Sequence, residues 1–452
     1  MEDNKLRMRE IYKSLIVLAV PIVCQNFITY GVTLADNLMV GRLGEAAING
    51  LFMAAIVQLV LQMVLGGVES TMAVIATQYW GRKDTGRIKD VFAICFRMAL
   101  CLSAIAASVT FFFPAAIMGL LTSSQEAVVE GVRYLRIVSP SFVFFGASMM
   151  LVSVMRSVEV VRIGLINSII AFFVNIFLNY LLIFGNWGFP EMGVAGAALA
   201  TVISRMIELF VALFFVFRID NHISMRLNDF LRRNNEIAGD IIKYGTPLML
   251  GQIVWAVNKF TMRHIVGHFE PSASAAVSIS ENLDGLLWVG TFGLASAMGI
   301  LTGRMIGAGQ YDLVKSYAKR MQLVFIGVGI LSFAVVIFGG DIFVSFYNLS
   351  AETISTAKTF LLVLSFSVLG RSYQAPCLMG LVKAGGDTSF VFKNDSFWVF
   401  CWVLPSAFIA WKVFNAPDWV VYACLLSDQV TKCVVAAIKI NRFRWIKNLT
   451  RD

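Results

Sequence analysis

The chain has 452 residues, of which 58% are hydrophobic and only 14% charged, with a mean hydropathy of +0.76. A soluble chain carries about 25% charged residues, so this one has too few to coat a water-facing surface and must be solvated largely by lipid. Its net charge of +9 would suit a nucleic-acid binder only if the cations shared one surface with stacking aromatics; they are scattered over separate segments, and no nucleic-acid partner is expected.

The opening stretch MEDNKLRMREIYK is too long and too acidic for a signal-peptide n-region, and no small-residue cleavage site follows the apolar segment after it. It reads as a cytoplasmic tail entering a first span. A bilayer crossing takes about 20 apolar residues. Hydropathy and charged breaks predict an all-α integral membrane protein with twelve helices. Their expected limits are 14–39, 46–79, 90–113, 126–151, 163–184, 193–217, 237–266, 272–303, 316–346, 352–379, 394–413 and 417–440. The seven cysteines, at 24, 95, 101, 377, 401, 424 and 433, all fall in apolar segments without CxxC spacing, as buried small hydrophobes rather than a disulfide framework.

Basic residues mark one side of the membrane. Lys5, Arg7, Arg9 and Lys13 precede the first span; Arg82, Lys83, Arg87 and Lys89 follow the second; Arg156 and Arg162 follow the fourth. Arg218, Arg226, Arg232 and Arg233 follow the sixth, and Arg304, Lys315, Lys319 and Arg320 the eighth. Lys383 and Lys393 come after the tenth, with Arg442, Arg444, Lys447 and Arg451 in the tail. The opposite loops hold little beyond Arg42, Lys358 and Lys412. Cytoplasmic loops collect Lys and Arg, so both termini are expected in the cytoplasm, on an even number of spans.

At an offset of 226 residues the chain resembles itself. Pro21 falls on Pro247, Val40-Gly41 on Val266-Gly267, Gly67 on Gly293, Ser70 on Ser296, Gly81 on Gly307 and Lys89 on Lys315. Six spans per half would enter the membrane in the same orientation, a parallel repeat. The expected organisation is an N-terminal lobe (1–217), a polar cytoplasmic linker (218–236) and a C-terminal lobe (237–452), with a substrate cleft between the lobes near mid-membrane. Pro21 and Pro247 sit inside long spans, where proline removes a backbone hydrogen bond and favours a kink; both are expected hinges.

The stretch ITYGVTLADNLMVGRLG (28–44) places Asp36 at the end of an apolar run. A charged side chain within the bilayer costs several kcal/mol, about 2.5–3.5 on insertion scales, and a neutral residue would bind helices together more cheaply. The fifth span carries Asn175 and Asn179 on one face, four apart, and the small-residue stretch MGVAGAALATVIS of the sixth brings Thr201 close. Together they could hold a carboxyl among amides and a hydroxyl. Burial disfavours the ionised form of such a group, while donors or a bound cation favour it, so the cluster could take up and release H⁺ or Na⁺. In the second half the equivalent of Asp36 is Met262. Glu281 and Asp284 share a face and are expected to pair with Lys259 or Arg263; the alternative is that they line a substrate cavity with Gln252, Trp255 and Asn258. Arg205 with Glu208, and Asp428 with Lys432, read as ion pairs within helices. Glu69 has no evident local partner. His264 and His268 have zinc-like i, i+4 spacing, but no third ligand and no HExxH occurs, so no metal is expected.

These residues resemble the multidrug and toxic compound extrusion (MATE) transporters. The resemblance runs over nearly the whole chain through ADNLMVGRLG, ATQYWGRKD, NIFLNYLLIFGNWGFPEMGVAGAALATVIS and LVKAGGDT. It implies twelve helices in two pseudo-symmetric six-helix lobes forming an inverted V, and drug-resistance export driven by H⁺ or Na⁺. It implies amphipathic, often cationic substrates, and makes Asp36 the coupling acid with Asn175, Asn179 and Thr201 beside it. Two departures stand out: Asn179 replaces an acid found in some members, and Trp255 stands where others carry a helix-seven acid. Expected partners are small-molecule drugs or metabolites and membrane lipids, for a monomer in the cytoplasmic membrane of a prokaryote with no cofactor beyond the coupling ion. A lipid-linked oligosaccharide flippase of the same superfamily is the rival, since Lys259, Arg263 and Arg371 could meet a pyrophosphate. An intramembrane enzyme is not expected: no GxSxG, HExxH or credible acid dyad occurs beyond Glu281 with Asp284.

Overall fold

The computed structural model describes residues 2–347 and 350–451, with the side chains of 2–8, 45 and 46 excepted. Lys5 and Arg7 therefore lie outside the described side chains, and the chain-end residues Met1 and Asp452 outside the described residues. Among the described residues the chain is helical throughout, with no strand. In hydrocarbon every backbone N–H and C=O must be satisfied within the segment, which selects helices for a chain this apolar.

The helices are α1 (Glu2–Val40), α2 (Glu45–Gly81), α3 (Thr85–Phe112), α4 (Pro114–Leu121), α5 (Gln125–Val138), α6 (Ser141–Ser157), α7 (Arg162–Phe184) and α8 (Val194–Phe214). They continue with α9 (Asn235–Val266), α10 (Pro271–Gly307), α11 (Tyr311–Ser345), α12 (Ala351–Ala375), α13 (Thr388–Phe397), α14 (Leu404–Phe408), α15 (Asp418–Leu426) and α16 (Asp428–Asn441). Among the described residues ten helical segments are long and apolar enough to cross a membrane, or eleven if the bent pair α5–α6 is one span. This is a multi-pass membrane protein. α9, at 32 residues, is long enough but dilutes its apolar residues with Gly245, Gln252, Asn258 and Lys259.

The internal repeat is built into the backbone. α2 and α10 begin and end 226 residues apart, as do the starts of α3 and α11, α5 and α12, and α7 and α13. Ser124 caps α5 and Ser350 caps α12, each accepting from the backbone N–H three residues on. Such a cap satisfies a donor that the helix leaves open. Lys83 and Gly309, again at the same offset, both take positive φ (62° and 72°) in the turn after the long second helix of each half.

The sequence suggests a single straight helix over 126–151. The chain instead bends by 53° between α5 and α6, where Pro140 has no N–H to continue the ladder. Nor are the cysteines uniformly buried: Cys95 and Cys377 are, but Cys24, Cys101 and Cys401 lie exposed on helix faces, because a lipid-facing surface accepts a thiol as readily as the interior does. π-helical turns occur at Phe215–Ile219, Pro376–Val382, Trp398–Val403 and Ile409–Val413.

By contact the chain forms two compact units, one of Met1–Val23 with Thr246–Asp452 and one of Cys24–Gly245. The boundaries fall inside α1, just beyond Pro21, and inside α9, just before Pro247. In the Cys24–Gly245 unit the segment after α8 is fastened down. Asp229 meets Lys89 at 2.9 Å, Arg232 meets Asp90 at 3.2 Å, and Phe230 stands edge-on to Phe92 and Phe96. Burial would push the Asp229 carboxyl up, but hydrogen bonds from Lys89 and the Arg226 N–H, with the charges of Lys89 and Arg232, hold it below its ordinary value. In the other unit Trp445 is fully buried, and Lys439 and Lys447 clasp Asp387 at 2.6 and 2.8 Å.

Candidate functional site

α7 and α8 form a tight hairpin. Gly185 ends α7 in the left-handed region at φ 68°, which an L side chain adopts only with strain. At the crossing above it Gly196 lies against the Leu182 carbonyl, leaving no room for a Cβ. This close approach fixes Asn175 and Asn179, both buried, opposite α1.

Asn179 Nδ2 donates to Asp36 Oδ1 at 2.5 Å and to Asn175 Oδ1 at 3.1 Å. The side-chain Oδ1 of Asn179 is buried without a hydrogen-bond partner. Thr201 back-bonds to the Ala197 carbonyl at 3.0 Å and is met by the hydroxyl of Tyr134, which also reaches Gln58. Of the four residues picked from sequence, Asp36, Asn175 and Thr201 line one cavity of the Cys24–Gly245 unit, and Asn179 stands behind its wall, bonded to Asp36 and Asn175. The cavity leaves about 120 Å³ of room for water-sized molecules.

Sequence reasoning missed several of its walls. Thr29 and Thr33 lie below Asp36 on α1, Gln58 and Gln62 share a face of α2, and Tyr134 comes from α5. Their signal was weak: threonines on a bilayer helix back-bond to the preceding turn, as Thr29 does to the Gln25 carbonyl at 3.0 Å. The Arg205–Glu208 ion pair is present at 2.7 Å, but it lines this same cavity, and the Arg205 charge acts on Asp36. Among the described residues no cation lies within ion-pair distance of Asp36 itself.

Glu69, unexplained by the sequence, has a partner. Arg156 Nη1 lies 3.3 Å from its carboxylate, and Arg156 Nη2 donates to the Gln25 side-chain oxygen at 3.2 Å.

In the other unit the expected pairing of Asp284 with Lys259 or Arg263 does not occur. Asp284 forms a bidentate pair with Arg371 of α12, at 2.5 and 2.7 Å, with the guanidinium over the Trp288 ring at 5.1 Å. The three-residue spacing from Glu281 identified the shared face, but a partner 87 residues away in sequence leaves no local trace. Glu281 and Tyr422 sit beside this pair. Trp255 is exposed at 39% and carries Lys259 over its ring; Gln252 and Asn258 are partly buried on the same helix. His268 bonds to the His264 carbonyl at 2.9 Å and packs against Trp411, and no cluster of three metal-ligand residues occurs among the described residues. Asp428 pairs with Lys432 at 2.9 Å as expected, and Asp395 joins them at 3.0 Å.

The family model MatE matches residues 21–181 and 247–393, two segments that start at the repeat offset. The chain belongs to the MatE family of transporters. Among curated relatives, the probable multidrug resistance protein NorM of Streptococcus pneumoniae is 24% identical, with 82% of each chain covered. The probable multidrug resistance protein YoeA of Bacillus subtilis is 22% identical, with 88% of this chain and 87% of the relative covered. The bent form of the Vibrio cholerae MATE transporter VcmN superposes with a TM-score of 0.85 at 15% identity, over 96% of this chain and 97% of that one. A likeness at that identity establishes a shared MATE fold for this chain.

Proposed function

We propose that this MATE transporter is a secondary active antiporter of the prokaryotic cytoplasmic membrane, with both termini inside. It exports amphipathic, often cationic small molecules in exchange for H⁺ or Na⁺. The names of its multidrug-resistance relatives support the substrate class. The observation that carries the coupling reading is the chain Asp36–Asn179–Asn175 inside an apolar span. A carboxylate there has an amide donor but no ion-pair partner, and the unpartnered Asn179 oxygen beside it offers a further acceptor to an arriving cation. Occupancy changes the charge that Asn179 and Arg205 meet. A ligand shifts a conformational equilibrium only by its difference in affinity for the two states; here the difference arises if the neutralised carboxyl releases α1 to repack about Pro21. α1 suits that role: its most apolar window is only 17% buried, against 50% for α10.

The flippase reading needs free cations, and Arg371 is engaged by Asp284. Dye efflux from reconstituted vesicles, driven by separately imposed H⁺ and Na⁺ gradients, tests the proposal. Asp36→Asn should fold and lose gradient-driven export; wild-type export by that variant would end it.

A further inference from the structure

Beyond the cavity at Asp36, polar side chains recur on α1 and α2 toward the Arg156 end of its unit. On α1, Asp36, Thr33, Thr29 and Gln25 follow one another at three- and four-residue steps, one face of a helix. On α2, Gln58 and Gln62 are followed by Glu69 along the same face. On α7, Asn175, Ala171, Ser168 and Gly164 do the same. The cavity is lined down to Thr29, Gln62 and Ser168. Gln25 is one turn beyond Thr29, about 6 Å, and Glu69 is seven residues beyond Gln62, about 10 Å.

The three stripes converge on one cluster. Arg156, in the last turn of α6, bridges Glu69 of α2 and Gln25 of α1. Gly164 of α7 makes the seat: a Cβ there would overlap the Gln25 amide. The pair is partly buried, with side chains 16% and 25% exposed. It stands where a polar path from Asp36 would open on the cytoplasmic side, in the orientation proposed above. A fixed arginine charge in a narrow low-dielectric path bars cations, as in selective pores.

The geometry points to Gln25, Glu69 and Arg156 as the inner gate of a cation path that begins at Asp36. While Arg156 bridges Glu69 and Gln25, its charge closes the path. When α1 moves, Gln25 leaves Arg156, the guanidinium loses the contact that holds it in place, and as it swings away Glu69 receives the departing cation before it reaches the cytoplasm. Glu69 is thus a transient station and Arg156 a positioning and gating residue. The inference rests on Asp36 being the coupling site, and the two are tested apart.

The full-length protein in vesicles holding a pH-sensitive dye, or loaded with ²²Na⁺, reports gradient dissipation without substrate. Arg156→Gln should raise this leak by about tenfold or more, the scale of one fixed charge steering ions in a cleft. Arg156→Lys should remain tight. Adding Asp36→Asn to Arg156→Gln should return the leak to the wild-type level, because the path starts at Asp36. Glu69→Gln keeps the arginine; it should stay tight and turn over about tenfold more slowly. A purely structural ion pair would lower the melting temperature in both single variants and open no leak. A folded, tight Arg156→Gln, a leak that persists without Asp36, or a Glu69→Gln protein with wild-type turnover overturns the gate. Should Arg156→Gln fail to fold, the Glu69→Gln turnover decides. Retained export by Asp36→Asn alone is a separate result, and it counts against the coupling site instead.

Discussion

Replacing Gly196 by alanine tests how the site is held. A Cβ at this position would lie 2.6 Å from the Leu182 carbonyl carbon and 3.0 Å from the Ile183 nitrogen, and closer still to the Leu182 oxygen. These are backbone atoms, which cannot rotate aside, and ordinary contact begins at 3.4 Å. The α7 and α8 backbones would therefore have to part by about 1 Å, an overpacking that costs roughly 1–3 kcal/mol. Asn179 lies one turn from Leu182. Passed to it, that displacement stretches its 2.5 Å bond to Asp36 beyond the roughly 3.2 Å limit of an N–H···O bond. A hydrogen bond to a charged group is worth about 1.5–3 kcal/mol, so export at a limiting gradient should fall about tenfold or more, with a lower melting temperature. The control is Gly66→Ala, where nothing lies within 4 Å and alanine is the better helix former. Thermal melts in detergent and dye efflux in vesicles read both effects. A Gly196→Ala protein as stable and active as the Gly66→Ala control would refute the reasoning.

Removing one partner of a buried ion pair costs about 3–5 kcal/mol, while replacing both with apolar groups is close to neutral. Arg371→Met should therefore melt well below wild type, and Arg371→Met with Asp284→Leu should recover most of the loss. Burial would raise the Asp387 carboxyl, but its hydrogen bonds and charge contacts with Lys439 and Lys447 lower it below the ordinary 3.8. Its stabilisation is present above that value and fades as pH falls through the lower folded-state value, so the melting difference between wild type and Asp387→Asn should be full at pH 7 and disappear in strong acid. Asp229→Asn should loosen the segment after α8 from Lys89, and limited trypsin digestion at exposed Arg233 should then run faster.

The features legible in the sequence are those written locally or at a fixed period. Span lengths, the 226-residue repeat and the pairing of Asn175 with Asn179 follow from hydropathy and helical spacing, and the small residues around Gly196 announced the α7–α8 contact. The flat apolar signal hid the bend at Pro140, because a broken span and a straight one have the same composition. Partners distant in sequence were also invisible. Arg156 lies 87 residues from Glu69 and Arg371 lies 87 from Asp284, and no pattern of spacing joins them. Tyr134 sits in an amphipathic helix, α5, where spacing alone does not mark its side chain as facing the cavity.

Ion binding to the purified protein bears most directly on the seat assigned to Asp36. Proton uptake followed with a pH indicator, and ²²Na⁺ binding, can be compared in wild type and Asp36→Asn without transport or substrate. The wild type should take up the coupling ion, and the variant should lose that uptake while keeping its fold. Equal uptake by both proteins would place the ion elsewhere and contradict the account.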